Sequence, residues 1–291
     1  MAVYEHSYQR YTGSLTTSLE RFLVIPRYAF RSVLQPKGML IFLALSSLPF
    51  LFGAAAVYLT NSSKFAELLS LTGGRMNLEV SYGFFNALLS SELFFAFLLM
   101  VFVAPSLIAP DLRNNALPLY LSRPFSRKEY VLGKLTVLAG LMSVMTWIPL
   151  ALLYVLQAAL HQEGWWRQHL DLLPAILLIS GAWILVLSLV GLAASAWVKW
   201  KAIARLTLFA FFFGSAAVAA MINALFSDRF ETDWGSLISP FAVVQRIQDG
   251  LLHQELASSA LPAWAAWGSL LALSALALGM LARKVRAYEV V

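Results

Sequence analysis

The chain lacks cysteine and has few charged residues. Of its 291 residues, 12% are Asp, Glu, Lys or Arg and 60% are apolar. A soluble domain has about 25% charged and about 45–50% apolar residues, so a soluble fold cannot bury this excess. Without cysteine there is no disulfide framework, no thiolate metal site and no cysteine nucleophile. The composition excludes a water-soluble enzyme, a disordered chain and a disulfide scaffold, and it indicates a membrane protein.

A nucleotide-binding loop is also missing from the sequence. A P-loop needs G-x-x-x-x-G-K-[ST], because its backbone amides surround the phosphates. The nearest segment is Gly133-Lys134-Leu135, with Lys128 in place of the first glycine and Leu135 in place of the hydroxyl residue. We therefore expect no ATP, magnesium or other cofactor in this chain, and ATP-driven work would need an ATPase in another chain. The first 37 residues are polar and basic, which predicts that no secretory signal is present.

Long uncharged stretches divide the rest of the chain. A helix needs about 20 apolar residues to cross about 30 Å of hydrocarbon, and lipid cannot pair an open strand edge. The sequence thus predicts an all-α integral membrane protein with six spans in a domain over 38–283. A cytoplasmic segment, 1–37, precedes this domain, and a cytoplasmic tail, 284–291, follows it. The predicted spans are about 38–60, 83–109, 135–160, 172–198, 206–227 and 257–282.

Lysine and arginine alternate between the two sides of these spans. The terminal segments and the second and fourth loops carry sixteen of them, and the other three loops carry five. The positive-inside rule then predicts that both termini are cytoplasmic. We therefore interpret the net charge of +6 as a sign of which side of the membrane is cytoplasmic. We expect contact with lipid and no nucleic-acid partner.

Two short segments outside the spans have amphipathic patterns. Residues 17–34 place Leu23, Phe30 and other apolar residues at helical intervals, and Pro26 is expected to kink or restart this helix. Such a helix suits the inner membrane surface, as a general anchor or as an elbow that braces the spans. Residues 239–250 begin with Ser-Pro and end with Gly, which predicts a short reentrant or interfacial helix before the last span.

Ionisable residues are rare inside the spans. Glu92 is the one good candidate for a group in a substrate path, because an intramembrane carboxylate is functional by default. It could equally cap a helix or extend toward the outer surface. The four histidines lie in loops or near interfaces, which is typical of solvated residues and matches no helical metal pair. They are His6, His161, His169 and His253.

The loop between the second and third spans mixes apolar side chains with both signs of charge. Ser126 can cap a helix that starts at Arg127, and Glu129 then stands at its third position. A compact charged element with exposed apolar side chains suits docking to a soluble partner. The run that matters reads LIAPDLRNNALPLYLSRPFSRKEYVLGKL, between Pro105 and Leu135.

This run resembles the first cytoplasmic loop of ABC-2 type transporter permeases. The pattern is an acidic residue after the second span, a Ser-Arg-Pro turn, an arginine, an acidic–aromatic pair and Gly-Lys. The run covers about a tenth of the 291 residues. The six predicted spans and the predicted surface helix also agree with the family. The matching residues are Asp111, Ser122, Arg123, Pro124, Arg127, Glu129, Tyr130, Gly133 and Lys134.

The resemblance implies a permease subunit that pairs with a second permease copy, the same or different. Two separate ATP-binding subunits would dock below it, with export as the direction typical of the family, in the cytoplasmic membrane of a prokaryote. A second and smaller ATPase contact is expected at Lys199, Lys201 and Arg205. The expected ATPase-coupling residues are Asp111, Arg113, Leu119, Tyr120, Ser122, Arg123, Pro124, Phe125, Arg127, Glu129, Tyr130 and Lys134.

Other functions stay open at this point. An ATP-independent channel or carrier would need a polar path, and the spans offer little beyond Glu92. An integral membrane enzyme would need clustered Asp, Glu or His at the inner interface, which the sequence lacks. A membrane anchor within an export complex has the same docking loop as a permease, so the sequence does not separate the two.

Overall fold

A computed structural model describes residues 18–62, 79–114, 116, 127–161, 164–226, 232–254 and 261–284. Regular structure in this part of the chain is helical throughout, without strands. The helices are α1 Ser18–Leu34, α2 Lys37–Ser46, α3 Leu48–Thr60, α4 Tyr82–Leu107, α5 Ala109–Arg113, α6 Arg127–Met145, α7 Trp147–Leu160, α8 Trp165–Gln168, α9 Leu172–Trp197, α10 Lys201–Phe226, α11 Pro240–Leu251 and α12 Ala263–Lys284, with a 3₁₀ helix at Trp234–Ile238.

Six helical segments are long and apolar enough to cross a membrane. They are Lys37–Thr60, Tyr82–Arg113, Arg127–Leu160, Leu172–Trp197, Lys201–Phe226 and Ala263–Lys284. The prediction of an all-α, multi-pass membrane protein with six spans is confirmed, whereas the cytoplasmic placement of both termini stays a prediction. Because successive segments run in opposite directions, one end of the bundle carries Lys134, Lys199, Lys201 and Lys284, and we name it the lysine end. The opposite end carries His161, His169 and His253 and is named the histidine end.

Helices α4 and α9 form the centre of the bundle. They pack along their length, and Gly191 permits the approach, because a Cβ there would lie 2.8 Å from both Met100 Cγ and Ala104 Cβ. The Trp183 side chain is fully buried, and its indole N–H donates to the Leu93 carbonyl at 3.0 Å. Helices α2, α3 and α10 lie outside this pair and expose large apolar side chains, as lipid-facing helices do.

Two of the predicted spans are each interrupted by a break. The first divides into α2 and α3 at Ser47, and the third divides into α6 and α7 at Thr146. Pro49 and Pro149 follow these breaks and lack the N–H that a continuous helix needs. The Thr146 hydroxyl donates back to the Met142 carbonyl at 2.9 Å, so its own polar group is satisfied within the preceding turn.

Helix α1 packs along α6 at the lysine end. Two glycines of α6 make room for it: a Cβ at Gly133 would lie 3.2 Å from Ile25 Cγ2, and one at Gly140 would lie 2.8 Å from Phe30 Cζ. Pro26 is buried within a continuous α-helix, so the expected restart of the helix there does not occur. Leu23, also on α1, is 47% exposed, and the placement of this helix on the membrane surface stays a prediction.

Helix α11 enters and leaves the bundle at the histidine end. The predicted cap is confirmed, since the Ser239 hydroxyl accepts the Ala242 N–H at 3.3 Å. Phe241, in the first turn, packs its ring against Phe97, whose centroid is 5.0 Å away in the middle of α4. Near the other end of α11, the Gln248 amide donates to the Asn86 carbonyl at 2.8 Å, close to the start of α4. The helix therefore starts deep in the bundle and ends near its surface.

Candidate functional site

Asp111, Tyr130 and Lys134 meet at the base of the loop between the second and third spans, where the ATPase contact is expected. We name the segment 110–134 the coupling loop after that expectation. Asp111 lies in the short helix α5, and Tyr130 and Lys134 are four residues apart on α6, so they share one face of that helix. The Tyr130 hydroxyl donates to Asp111 Oδ2 at 2.7 Å, and Lys134 Nζ lies 2.9 Å from the same oxygen. We name this group the Asp111 tie.

The Asp111 tie is largely protected from solvent. The side chains of Lys134 and Asp111 are 11% and 18% exposed, and Tyr130 is fully buried. Charged hydrogen bonds are stronger in such surroundings than at an open surface, provided that both partners stay paired. The tie therefore joins the end of the second span to the start of the third.

Ser195 fastens the same region to α9. The break between α4 and α5 leaves the first backbone N–H groups of α5 without partners in their own helix. The Ser195 hydroxyl accepts two of them, from Ile108 at 3.2 Å and from Ala109 at 3.0 Å, and it is fully buried. Sequence reasoning missed Ser195, since one serine in an apolar span has no spacing that would distinguish it.

The two predicted cytoplasmic contacts lie next to each other. Arg113 places its guanidinium 5.3 Å from the centroid of the Trp200 ring, which is a cation–π distance. A cleft of about 480 Å³ lies beside this pair. Its lining includes Pro110, Arg113, Asn114, Lys199, Trp200 and Lys201.

Arg205 has a different position from its predicted companions. Its guanidinium donates to the Phe102 carbonyl at 3.4 Å and lies 5.9 Å from the Phe102 ring centroid. The side chain thus contacts α4 and does not line the cleft with Lys199 and Lys201. Its charge remains exposed at the lysine end.

The described part of the coupling loop includes its beginning and its end. Arg127 is exposed in the first turn of α6, and Glu129 stands in the same turn, where a carboxylate is favoured by the helix dipole. The remaining predicted coupling residues lie outside the described residues. They are Leu119, Tyr120, Ser122, Arg123, Pro124 and Phe125.

Glu92 lies far from the coupling loop. It precedes Asp111 by 19 residues, which is about 28 Å along a helix at 1.5 Å per residue. Its side chain is 1% exposed, and Oε2 has no hydrogen-bond partner among the residues that the structure describes. A buried polar atom without a partner is rare in folded proteins and is unfavourable.

The depth of Glu92 follows from its neighbours. A Cβ at Gly53 would lie 2.8 Å from Leu88 and 2.9 Å from Leu153, so these three residues lie at one level. One helical turn further from the histidine end, α4 carries Glu92, α3 carries Pro49 and α7 carries Pro149. The carboxyl group therefore shares its level with the two interrupted spans.

Asp171 connects three elements at the histidine end. Its Oδ1 accepts the Tyr82 hydroxyl at 2.6 Å, and its Oδ2 lies 2.7 Å from His253 Nε2. The Tyr82 hydrogen bond is the main reason why the pKa of the Asp171 carboxyl lies below its usual range, and the bond from His253 adds to it. His253 was expected to be solvated, and the structure places this exposed side chain in a defined pair.

The described residues contain no group of three or more His, Asp or Glu side chains positioned to hold a metal ion. The chain matches no protein-family model and no curated protein sequence.

Proposed function

We propose that this protein is the permease subunit of an ABC-2 type transporter, with export as its direction. Two permease copies, identical or different, would form the translocation path. Separate ATPase subunits would bind ATP and magnesium, because this chain has no Walker motif. The proposal places the protein in the cytoplasmic membrane of a prokaryote, with the lysine end in the cytoplasm.

The Asp111 tie is the observation that carries the proposal. A soluble ATPase can move membrane helices only through an element that is fixed to their ends. The Tyr130–Asp111 and Lys134–Asp111 contacts join the ends of two spans, and Ser195 adds a link to a third. Movement of the loop would therefore reach α4, α6 and α9 together.

The proposed ATPase contact has charged and apolar parts. Arg127 is exposed at the start of α6 and can orient a partner, as charges do at transient interfaces. Leu119, Tyr120 and Phe125 would supply the buried area, and Arg123 a further charge. Lys199, Lys201 and the exposed charge of Arg205 would form the smaller second contact beside them.

Charge reversal at Arg127 tests the docking site. We expect Arg127→Glu to weaken association with the ATPase subunit and to reduce ATP turnover of the complex in liposomes. Arg167→Glu is the matched control, because Arg167 is also exposed but lies at the histidine end. Unchanged association and unchanged turnover in Arg127→Glu would count against the proposal.

An ATP-independent carrier is the second candidate, and Glu92 is the observation that favours it. A buried carboxyl group whose Oε2 has no hydrogen-bond partner among the described residues, at the level of two interrupted spans, is the kind of feature that binds cargo or protons in transporters. This candidate expects substrate flux in liposomes that contain this protein alone, and expects Glu92→Gln to abolish it. Flux that strictly requires an added ATPase would exclude it.

A further inference from the structure

A second cleft opens at the histidine end, far from the coupling loop. Its volume is about 380 Å³, and it lies where α3, α7 and α8 end and α4 begins. We name it the histidine cleft. Its polar lining includes Thr60, Asn61, Glu79, Gln157, His161 and His169, and the Trp165 ring forms part of its wall.

The orientation of the Asn61 amide is fixed by its neighbours. Its Nδ2 donates to the Val57 carbonyl at 2.8 Å and to Gln157 Oε1 at 2.9 Å. A backbone carbonyl only accepts, so the nitrogen must lie on that side and Oδ1 on the other. Oδ1 lies 3.1 Å from His161 Nδ1, and that ring nitrogen must therefore carry the hydrogen.

The same argument applies to His169. Its Nδ1 lies 2.9 Å from the Trp165 carbonyl, so Nδ1 is the donor there too. The imidazole also stacks on the Trp165 ring at a centroid distance of 4.4 Å, which fixes the plane of the ring. In the neutral tautomers of His161 and His169, Nε2 is then a bare acceptor on a side chain that lines the cleft.

Other groups of the cleft also present acceptors. The Thr60 hydroxyl donates back to the Ala56 and Val57 carbonyls at 3.0 and 3.1 Å, so its hydrogen is used and the oxygen can act only as an acceptor. Glu79 is exposed and adds a carboxylate. The described lining contains neither lysine nor arginine.

We infer that the histidine cleft binds a primary ammonium group. An ammonium has three N–H donors, no acceptor and a positive charge, which complements Glu79 and the two imidazole lone pairs. A metal ion would need a tighter group of ligands than the described residues form. The ammonium can come from an ethanolamine lipid headgroup or from a soluble amine. This inference does not depend on ATPase coupling.

Lipid retention by the full chain tests the inference. The purified protein is placed in nanodiscs of equal parts phosphatidylcholine, phosphatidylethanolamine and phosphatidylglycerol, and the retained lipids are counted by native mass spectrometry. We expect selective retention of phosphatidylethanolamine. Free ethanolamine is then added as a competitor: displacement identifies the amine alone as sufficient, and retention despite ethanolamine identifies the lipid headgroup as the source.

Three variants locate the site. Glu79→Gln keeps the shape of the side chain and removes its charge, so retention should fall about tenfold. His169→Phe keeps a ring for stacking on Trp165 and removes the Nε2 lone pair, so retention should fall as well. Asp233→Asn is the control, because Asp233 lies at the same end but lines a different depression.

Several results would overturn the inference. They are equal retention of all three lipids by the wild-type protein, preference for phosphatidylglycerol, or unchanged retention in both Glu79→Gln and His169→Phe. Stoichiometric zinc in the purified protein, lost in His169→Phe, would also replace the ammonium with a metal.

Discussion

Single polar side chains fasten the helix ends in this protein. Helix termini have backbone groups without partners, and in lipid such groups are costly. Ser195 accepts two of them at the α4–α5 junction, while the Asp111 carboxylate receives donors from two residues of α6. Each arrangement depends on one atom, so each can be tested by a single substitution.

The Asp111 tie should behave as one energetic unit. We expect Asp111→Asn and Lys134→Met each to destabilise the protein by about 1–3 kcal/mol, because each leaves a largely buried charge without its oppositely charged partner. The double variant should lose less than the sum of the two, with a coupling energy of about 0.5–3 kcal/mol. Thermal unfolding of the purified variants in detergent measures both quantities. Strict additivity would show that the contact contributes nothing.

Two serines of α9 provide a matched comparison. Ser195→Ala removes the acceptor of two buried N–H groups and should cost about 1–3 kcal/mol of unfolding free energy. Ser188→Ala removes a buried hydroxyl that has no hydrogen-bond partner among the described residues, so it should be neutral or stabilising. Unfolding curves recorded side by side check this difference. Equal losses in the two variants would contradict the role given to Ser195.

Acid should weaken the histidine end through Asp171. Its pKa is lower in the folded protein than in the unfolded chain, so the unfolded chain binds the proton more readily. The stabilisation is therefore present at neutral pH and is lost as pH falls through the ordinary carboxyl range to the lowered folded pKa. Unfolding temperatures measured across this range should fall more steeply in the wild type than in Asp171→Asn. Parallel pH profiles would contradict the assignment.

At the scale of elements, the glycines of α6 decide where α1 lies. Gly140→Leu should displace α1, because even its Cβ would lie 2.8 Å from Phe30. Gly279→Leu is the control, since no atom of the described residues outside its own helix backbone lies within 4 Å of a Cβ there. The natural chain has no cysteine, so an added Ala29→Cys can be labelled without background. Maleimide should label it severalfold faster in Gly140→Leu and at the parent rate in Gly279→Leu.

The sequence predicted the helices that are marked by an uncharged run or by a capping residue at their start. Six apolar stretches correspond to six helical segments, and the Ser239-Pro240 signal marks the start of α11. The breaks at Ser47 and Thr146 were not predicted, because a proline inside an apolar run is compatible with a kink as well as a break.

The sequence named the three residues of the Asp111 tie but not their contacts, and it did not name Ser195. The resemblance singled out Asp111, Tyr130 and Lys134 without indicating that they bond to one another. Tyr130 and Lys134 share a helix face by spacing, but the approach of Asp111 depends on the packing of α5. The acceptor-rich histidine cleft was not foreseen, because residues 60–61, 79, 157–161 and 165–169 meet only in the folded chain.

At the scale of the whole molecule, the two ends of the bundle differ in chemistry. The lysine end has exposed cations and the Asp111 tie, and these features suit a soluble partner. The histidine end has acceptor groups, the end of α11 and the paired Asp171. Such a division fits a transport subunit that receives work at one surface and meets lipid or cargo at the other.

Capture of the native complex tests the central claim most directly. The tagged protein is purified in a mild detergent from its own membranes, with and without cross-linking, and the copurified proteins are identified and quantified by mass spectrometry. The permease account predicts a stoichiometric P-loop ATPase, which is lost when the Asp111 tie or Arg127 is altered. A protein that is repeatedly free of any ATPase, even after cross-linking, would contradict the account and favour an ATP-independent carrier.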